Sequence, residues 1–224
     1  MSVEQVLWEH DATGLASLVR KGEITPQELV DAAIARAEAT RPDINAIAEP
    51  LYEAARTRAK TIDRKLPLAG VPFALKDLGI AMKDTAHTSG GSSGGAAALV
   101  AAGVVPVAHA SDGGGSIRVP AACTGLVGLK TSRGRVPLSP LVTESWYGLV
   151  VDHALARSVR DSALLLDLTH GPDALSPYAA PPPKGAFAAA VARDPGKLKL
   201  AVYRKSPLGL PISAETLTAL DTAV

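Results

Sequence analysis

The sequence predicts an α/β protein with a central sheet, and three features of the chain predict it. Capped helical segments crowd the first third, strands and helices alternate after them, and a Gly/Ser/Ala-rich stretch occupies the centre. With 224 residues, 47% of them hydrophobic and 20% charged, the chain is long and apolar enough to bury a core.

In chain order, residues 11–20 read as a short helix ended by Gly22. Thr25 is the N-cap of a second helix, with Pro26 in its first turn and Glu28 closing a capping box. Leu29, Ala33, Ile34 and Ala37 then share one face. A third helical segment, about 50–64, stops near Pro67. Residues 71–75 read as a strand ending at Lys76-Asp77, and Pro72 makes it an edge or irregular strand. The glycine-rich centre contains a tight loop at 90–95, an Ala-rich helix at about 95–102, a strand at about 104–109 and a second loop at 112–115. Ser158, with Asp161 three residues on, opens a helix to about Leu168. Residues 177–183 are a Pro-rich loop, 197–203 alternate as a strand, and Ser213 caps a last helix that runs into the chain end without a closing element. No internal repeat is visible.

Bulk properties exclude several classes. Lys+Arg 23 against Asp+Glu 22 leaves a charge of +1, so no field argues for nucleic acid or an anionic membrane, and the expected partner is a small molecule. A single cysteine, Cys123, forms no intrachain disulfide, and one Cys with scattered His makes no metal site. A reducing cytoplasm is expected. Glu4, Glu9 and Asp11 stand where a secretory signal would need a basic start, and the apolar stretch 96–110 is broken by Gly103, Pro106 and His109.

Chemistry concentrates in the centre. Lys76 stands at a strand end, Ser92 and Ser93 lie inside Gly90-Gly91-Ser92-Ser93-Gly94-Gly95, and Ser116 follows three glycines. An isolated lysine is a solvated surface residue and an isolated Gly-Ser-Ser-Gly a flexible linker. Linkers, however, do not sit between an apolar strand and an Ala-rich helix. Gly113, Gly114 and Gly115 let the backbone turn several N–H groups toward one point beside the Ser116 hydroxyl, which is how an oxyanion hole is built. Asp112 and Arg118 flank the loop and read as an ion pair bracing the turn. Five histidines (His10, His87, His109, His153, His170) are candidate bases, none in a persuasive setting. Lys76 can serve instead, because burial at the end of an apolar strand penalises its charged form. Gly90-x-Ser92-x-Gly94 also fits a nucleophile elbow, but the polar run 84–88 before it is not the buried strand an elbow needs. A phosphate loop fails for want of a following Gly-Lys-Ser/Thr.

Gly91-Ser92-Ser93-Gly94-Gly95, the run Ser111 to Pro120, and Gly125-Leu126-Val127-Gly128-Leu129-Lys130 together resemble the amidase signature family, and the likeness extends upstream through Gly70 to Asp77 and downstream to about Thr169. The resemblance implies a mixed β-sheet flanked by helices and a carbon–nitrogen hydrolase acting on linear or cyclic amides. It carries the catalytic lysine onto Lys76, the bridging serine onto Ser92 and the nucleophile onto Ser116, with the 113–116 N–H groups as oxyanion donors. It also implies a cis bond between Gly91 and Ser92, and places Cys123 in a part of the motif that packs, as a core residue. Neither cofactor nor metal is expected, and a homodimer stays open. The chain then divides into an N-terminal helical segment at 1–66, the signature core at 67–171, and a Pro-rich loop with the start of a truncated part at 172–224, all one partial domain. Relative to the family, a helix, a core strand and its loop are missing between Lys76 and Ser92, as is the C-terminal half. An internally deleted, truncated amidase is therefore expected, with a catalytically impaired remnant as the alternative.

Overall fold

A computed structural model describes residues 2–77, 93–140 and 142–223. Three helices lead: α1 (Val3–Glu9), α2 (Ala12–Lys21) and α3 (Pro26–Ile44). Asp11 caps α2 and Gly22 ends it in a left-handed conformation, while Thr25 and Glu28 make the full capping box on α3. Leu7, Leu15, Val19, Leu29 and Ala33 bury together and hold the three helices as one layer. After α4 (Tyr52–Thr61) come β1 (Phe73–Ala74), α5 (Gly94–Ala101), β2 (Val107–Asp112), α6 (Arg118–Thr124), β3 (Val127–Gly128), β4 (Val151–Ala156), α7 (Val159–Thr169) and α8 (Phe187–Val191).

The strands form one mixed sheet in the order β1-β2-β4-β3, with β1 parallel to β2 and β4 antiparallel to both its neighbours. Side chains alternate across it. Ala108, Ala110 and Leu155 pack toward α5 and α6 with Val100, Ile117 and Ala121, whereas Val107, Ala154 and Ala156 pack with Ala12 of α2 and Leu165 of α7. Both faces are covered, as in an α/β layer structure.

Charged groups tie the N-terminal helices to α7. Asp161 accepts from the N–H groups of Ala12 and Thr13 at 2.7 and 2.9 Å and from Thr13 Oγ1 at 2.6 Å. Arg157 donates to the carbonyls of Leu7, Trp8 and His10, which closes the C-terminal end of α1. Burial opposes ionisation of Asp11, yet Arg160, Ser158 and the Gly14 N–H outweigh it and hold its pKa at about 2.

Contacts divide the chain into two compact units, Met1–Val191 and Ala192–Val224. The second contains α9 (Ala214–Ala223), with the Ser213 hydroxyl accepting from the Thr216 N–H at its start.

Several expectations shift. Residues 197–203 carry the alternation of a strand but pair with nothing among the described residues, and Leu198, Leu200 and Tyr203 are exposed. A strand needs a neighbour to satisfy its backbone, so alternation alone does not make one. The strand placed at 104–109 lies at Val107–Asp112 instead, carrying Ser111 and Asp112 into the sheet. Cys123 is exposed: α6 buries Pro120 and Ala121, and a residue two beyond Ala121 falls on the opposite side of the helix. Among the described residues, no helix is long and apolar enough to cross a membrane.

Candidate active site

The end of β2 and the loop after it build the site. Strand periodicity sends Asp112 to one face and Ser111 to the other. Fully buried Asp112 accepts from the N–H groups of Gly115 (2.8 Å), Ile117 (3.2 Å) and Arg118 (3.3 Å), so its carboxylate folds the glycine loop around itself and sits at the start of α6. Arg118 completes the shell with Nε at 2.9 Å and Nη2 at 3.0 Å, the bracing pair expected from the sequence. Arg118, followed by those N–H groups, holds the Asp112 carboxyl far below the ordinary range.

Glycine is required at two places in the loop. Gly115 has φ +123, a conformation that L side chains rarely adopt, and a Cβ on Gly113 would lie 2.9 Å from the Trp146 ring. Gly114 is open, with nothing within 4 Å of a Cβ placed there. Since the Gly115 N–H points to Asp112, the expected donor set of Gly113, Gly114, Gly115 and Ser116 narrows in this conformation. The N–H groups of Gly113, Gly114 and Ser116 make no hydrogen bond among the described residues.

Lys76 lies just beyond β1 and is only 7% exposed. Burial lowers its pKa below the ordinary lysine value, against the opposing pull of Asp152 and Asp112. Its Nζ donates to Ser111 Oγ at 2.7 Å. Ser92, the expected bridge, lies outside the described residues, as does the bond joining Gly91 to it. Its neighbour Ser93 is described and is a hub. Ser93 N–H donates to the Ser116 carbonyl at 3.3 Å, while its hydroxyl donates to the Ser111 carbonyl at 3.3 Å and accepts from the Ser111 N–H at 3.4 Å. Lys76 and Ser116 thus belong to one hydrogen-bonded cluster through Ser111 and Ser93. The sequence marks Ser111 only as part of a motif, because the strand it predicts ends at about 109, and only the longer β2 aims Ser111 at the face opposite Asp112.

A cavity of about 310 Å³ opens beside β1, between α3, α4 and α5. Ala37, Phe73, Leu99 and Val105 supply apolar walls, and Lys76 and Ser93 line it too. Of the five histidines, His87 is outside the described residues, and His153 is buried with Nε2 3.0 Å from Ser162 Oγ. Burial first, and the neighbouring His109 second, lower its pKa to about 4. Among the described residues no group of His, Cys, Asp and Glu could hold a metal ion.

The sequence pattern of the family described as Amidase matches residues 28–85 and 82–224. The 6-aminohexanoate-cyclic-dimer hydrolases of Pseudomonas sp. strain NK87 and of Paenarthrobacter ureafaciens are each 34% identical over 267 residues, covering 91% of this chain and 54% of their own length. A solved structure of 6-aminohexanoate cyclic dimer hydrolase complexed with substrate superposes with TM-score 0.80 at 34% identity, over 86% of this chain and 52% of that one. A bacterial aryl acylamidase of the amidase signature enzymes superposes with TM-score 0.71 at 30% identity, over 83% and 52%. The chain spans about half the length of the curated relatives it matches. An alignment of 267 residues is also longer than this 224-residue chain, so these relatives have residues with no counterpart here.

Proposed function

The chain belongs to the amidase family, and on that premise we propose that it cleaves the carbon–nitrogen bond of a small linear or cyclic amide through an acyl-enzyme on Ser116. The observation that carries the reading is the buried Lys76 amine, hydrogen-bonded at 2.7 Å to the residue that precedes the Asp112-folded loop bearing Ser116. Burial favours the neutral amine, which is the form that can accept a proton.

In this mechanism Lys76 takes the Ser116 proton by way of Ser92, and Ser116 Oγ bonds to the amide carbonyl carbon. The carbonyl oxygen becomes an oxyanion held by the N–H groups of Gly113, Gly114 and Ser116. Collapse breaks the carbon–nitrogen bond, and the proton held by Lys76 goes to the departing nitrogen. Water then attacks the acyl-enzyme with Lys76 again accepting a proton; the bond between Ser116 Oγ and the acyl carbon breaks, that proton returns to Ser116, and the acid is released. The cyclic-dimer hydrolases among the relatives point to an aliphatic amide, and the apolar cavity beside Lys76 suits a methylene chain.

A second reading, a catalytically impaired remnant, has its own observation. The two family matches meet at 82–85, between Lys76 and Ser93, and the cavity lies along the edge strand just before that junction. Chain that the relatives have and this protein lacks would fill such a space. Fluorophosphonate labelling separates the two. Labelling of wild type that disappears in both Lys76→Ala and Ser116→Ala supports the active site; a folded wild type that does not label supports the remnant.

A further inference from the structure

His109 and Ser111 alternate with buried Ala110 on β2, so they share the face that carries Val107. The antiparallel register sets Ser111 opposite Asp152 and His109 opposite Ala154. Directly opposed residues have Cβ atoms about 4.5–5.5 Å apart, and diagonal ones remain in reach of long side chains. Ser111 Oγ receives the Lys76 amine at 2.7 Å, while His109 Nε2 stands 3.4 Å from Asp152 Oδ2. Asp152 and Lys76 therefore both meet Ser111, one by strand register and the other by hydrogen bond, and His109 stands against the Asp152 carboxylate. Among the described residues no Arg or Lys forms an ion pair with Asp152.

We propose that Asp152 is a positioning residue for the base: its carboxylate is the counter-charge that sets how readily Lys76 holds a proton. The proposal rests on the reading of Lys76 as the base. A base that must return its proton to the departing nitrogen cannot be neutral at every pH, and burial alone drives it that way. Asp152 opposes burial, and it stands ahead of Asp112 among the groups that do.

Of the other groups near Lys76, Asp112, His153 and Tyr52 are already engaged or neutral. Asp112 is held by Arg118 and three N–H groups, so its charge is already shared. His153, next to Asp152 on β4, is neutral above about pH 4. Glu49, Tyr52 and Asp77 line the cavity, and Tyr52 gives its hydroxyl hydrogen to Glu38 at 2.7 Å. Asp152, with a side chain 24% exposed, instead faces Ser111, the residue that receives the nearly buried Lys76 amine.

The test reads the proton on Lys76 directly and needs no turnover. Protein labelled with ¹³C at lysine Cε is titrated by NMR, and Lys76→Arg identifies the Lys76 resonance. The midpoint is expected to fall by about one pH unit in Asp152→Asn and to return toward wild type in Asp152→Glu. An unchanged midpoint in Asp152→Asn, or an equal fall in Asp152→Glu, overturns the proposal. Asp152→Ser, equally uncharged, decides by the same two results if Asp152→Asn does not fold. A Lys76 midpoint that follows Asp152 in a protein that fluorophosphonate does not label sinks the proposed function and leaves this inference standing.

Discussion

Asp112 and Asp161 are both 0% exposed, and both carboxylates sit at the N-terminal end of a helix, accepting backbone N–H groups. Their reach differs. Asp161 binds α2 across 149 residues of sequence and locks the N-terminal helices onto α7, whereas Asp112 binds the loop and helix that follow it within six residues. One buried carboxylate joins distant parts of the chain; the other shapes the glycine loop. The same local physics supports folding in one place and, on the proposed function, reactivity in the other.

Removing each carboxylate tests that division. Asp161→Ala leaves two N–H groups and a hydroxyl without an acceptor and is expected to lower unfolding stability by about 3 kcal/mol in urea. The fluorophosphonate labelling rate per folded molecule should stay that of wild type. Asp112→Ala is expected to destabilise by a similar amount, about 3 kcal/mol, and also to abolish labelling of the folded fraction. Equal labelling losses in the two variants would erase the distinction.

Acid should separate the carboxylates from the buried histidine beside them. The His153 pKa falls from its ordinary 6.5 to about 4, so between those values the unfolded chain binds the proton and the folded one does not. Stability therefore falls as pH drops from 6.5 toward 4, by about 3 kcal/mol over the whole window. His153→Gln should flatten that limb in thermal unfolding followed by circular dichroism.

Inside the glycine loop the contrast is finer. Gly113→Ala drives a Cβ to 2.9 Å from Trp146 and is expected to cost about 1–3 kcal/mol and slow labelling, whereas Gly114→Ala meets nothing within 4 Å and should affect stability least of the three glycines. The smallest effect is expected far from the site. Thr25→Ala removes the α3 capping box and should lower stability by about 1 kcal/mol with labelling intact.

What could be read without coordinates follows the same line. The Asp112–Arg118 pair, the capping box of Thr25 and Glu28, the Gly22 stop of α2 and the Ser158 cap of α7 all involve residues within a few positions of one another. Local chemistry of that kind is fixed by spacing. β4 escaped notice because a strand covered on both faces has no clean alternation, and Val151 to Ala156 reads as a short apolar run holding Asp152 and His153. Residues 197–203 show the converse error, alternation without a partner strand. Asp161 was legible as an N-terminal helix residue, but not as the acceptor for α2.

The sequence by itself determined the glycine loop, its serine and the family to which they belong, because a backbone conformation that only glycine tolerates leaves a direct mark on residue identity. Tertiary structure alone decided that Lys76 meets Ser111, that Ser93 joins Ser111 to Ser116, and that Asp152 stands opposite Ser111. Those contacts depend on strand register and on the pairing of β1 with β2 and β2 with β4. Register is set by burial on both faces of the sheet, a property of the folded whole that no short stretch of sequence contains.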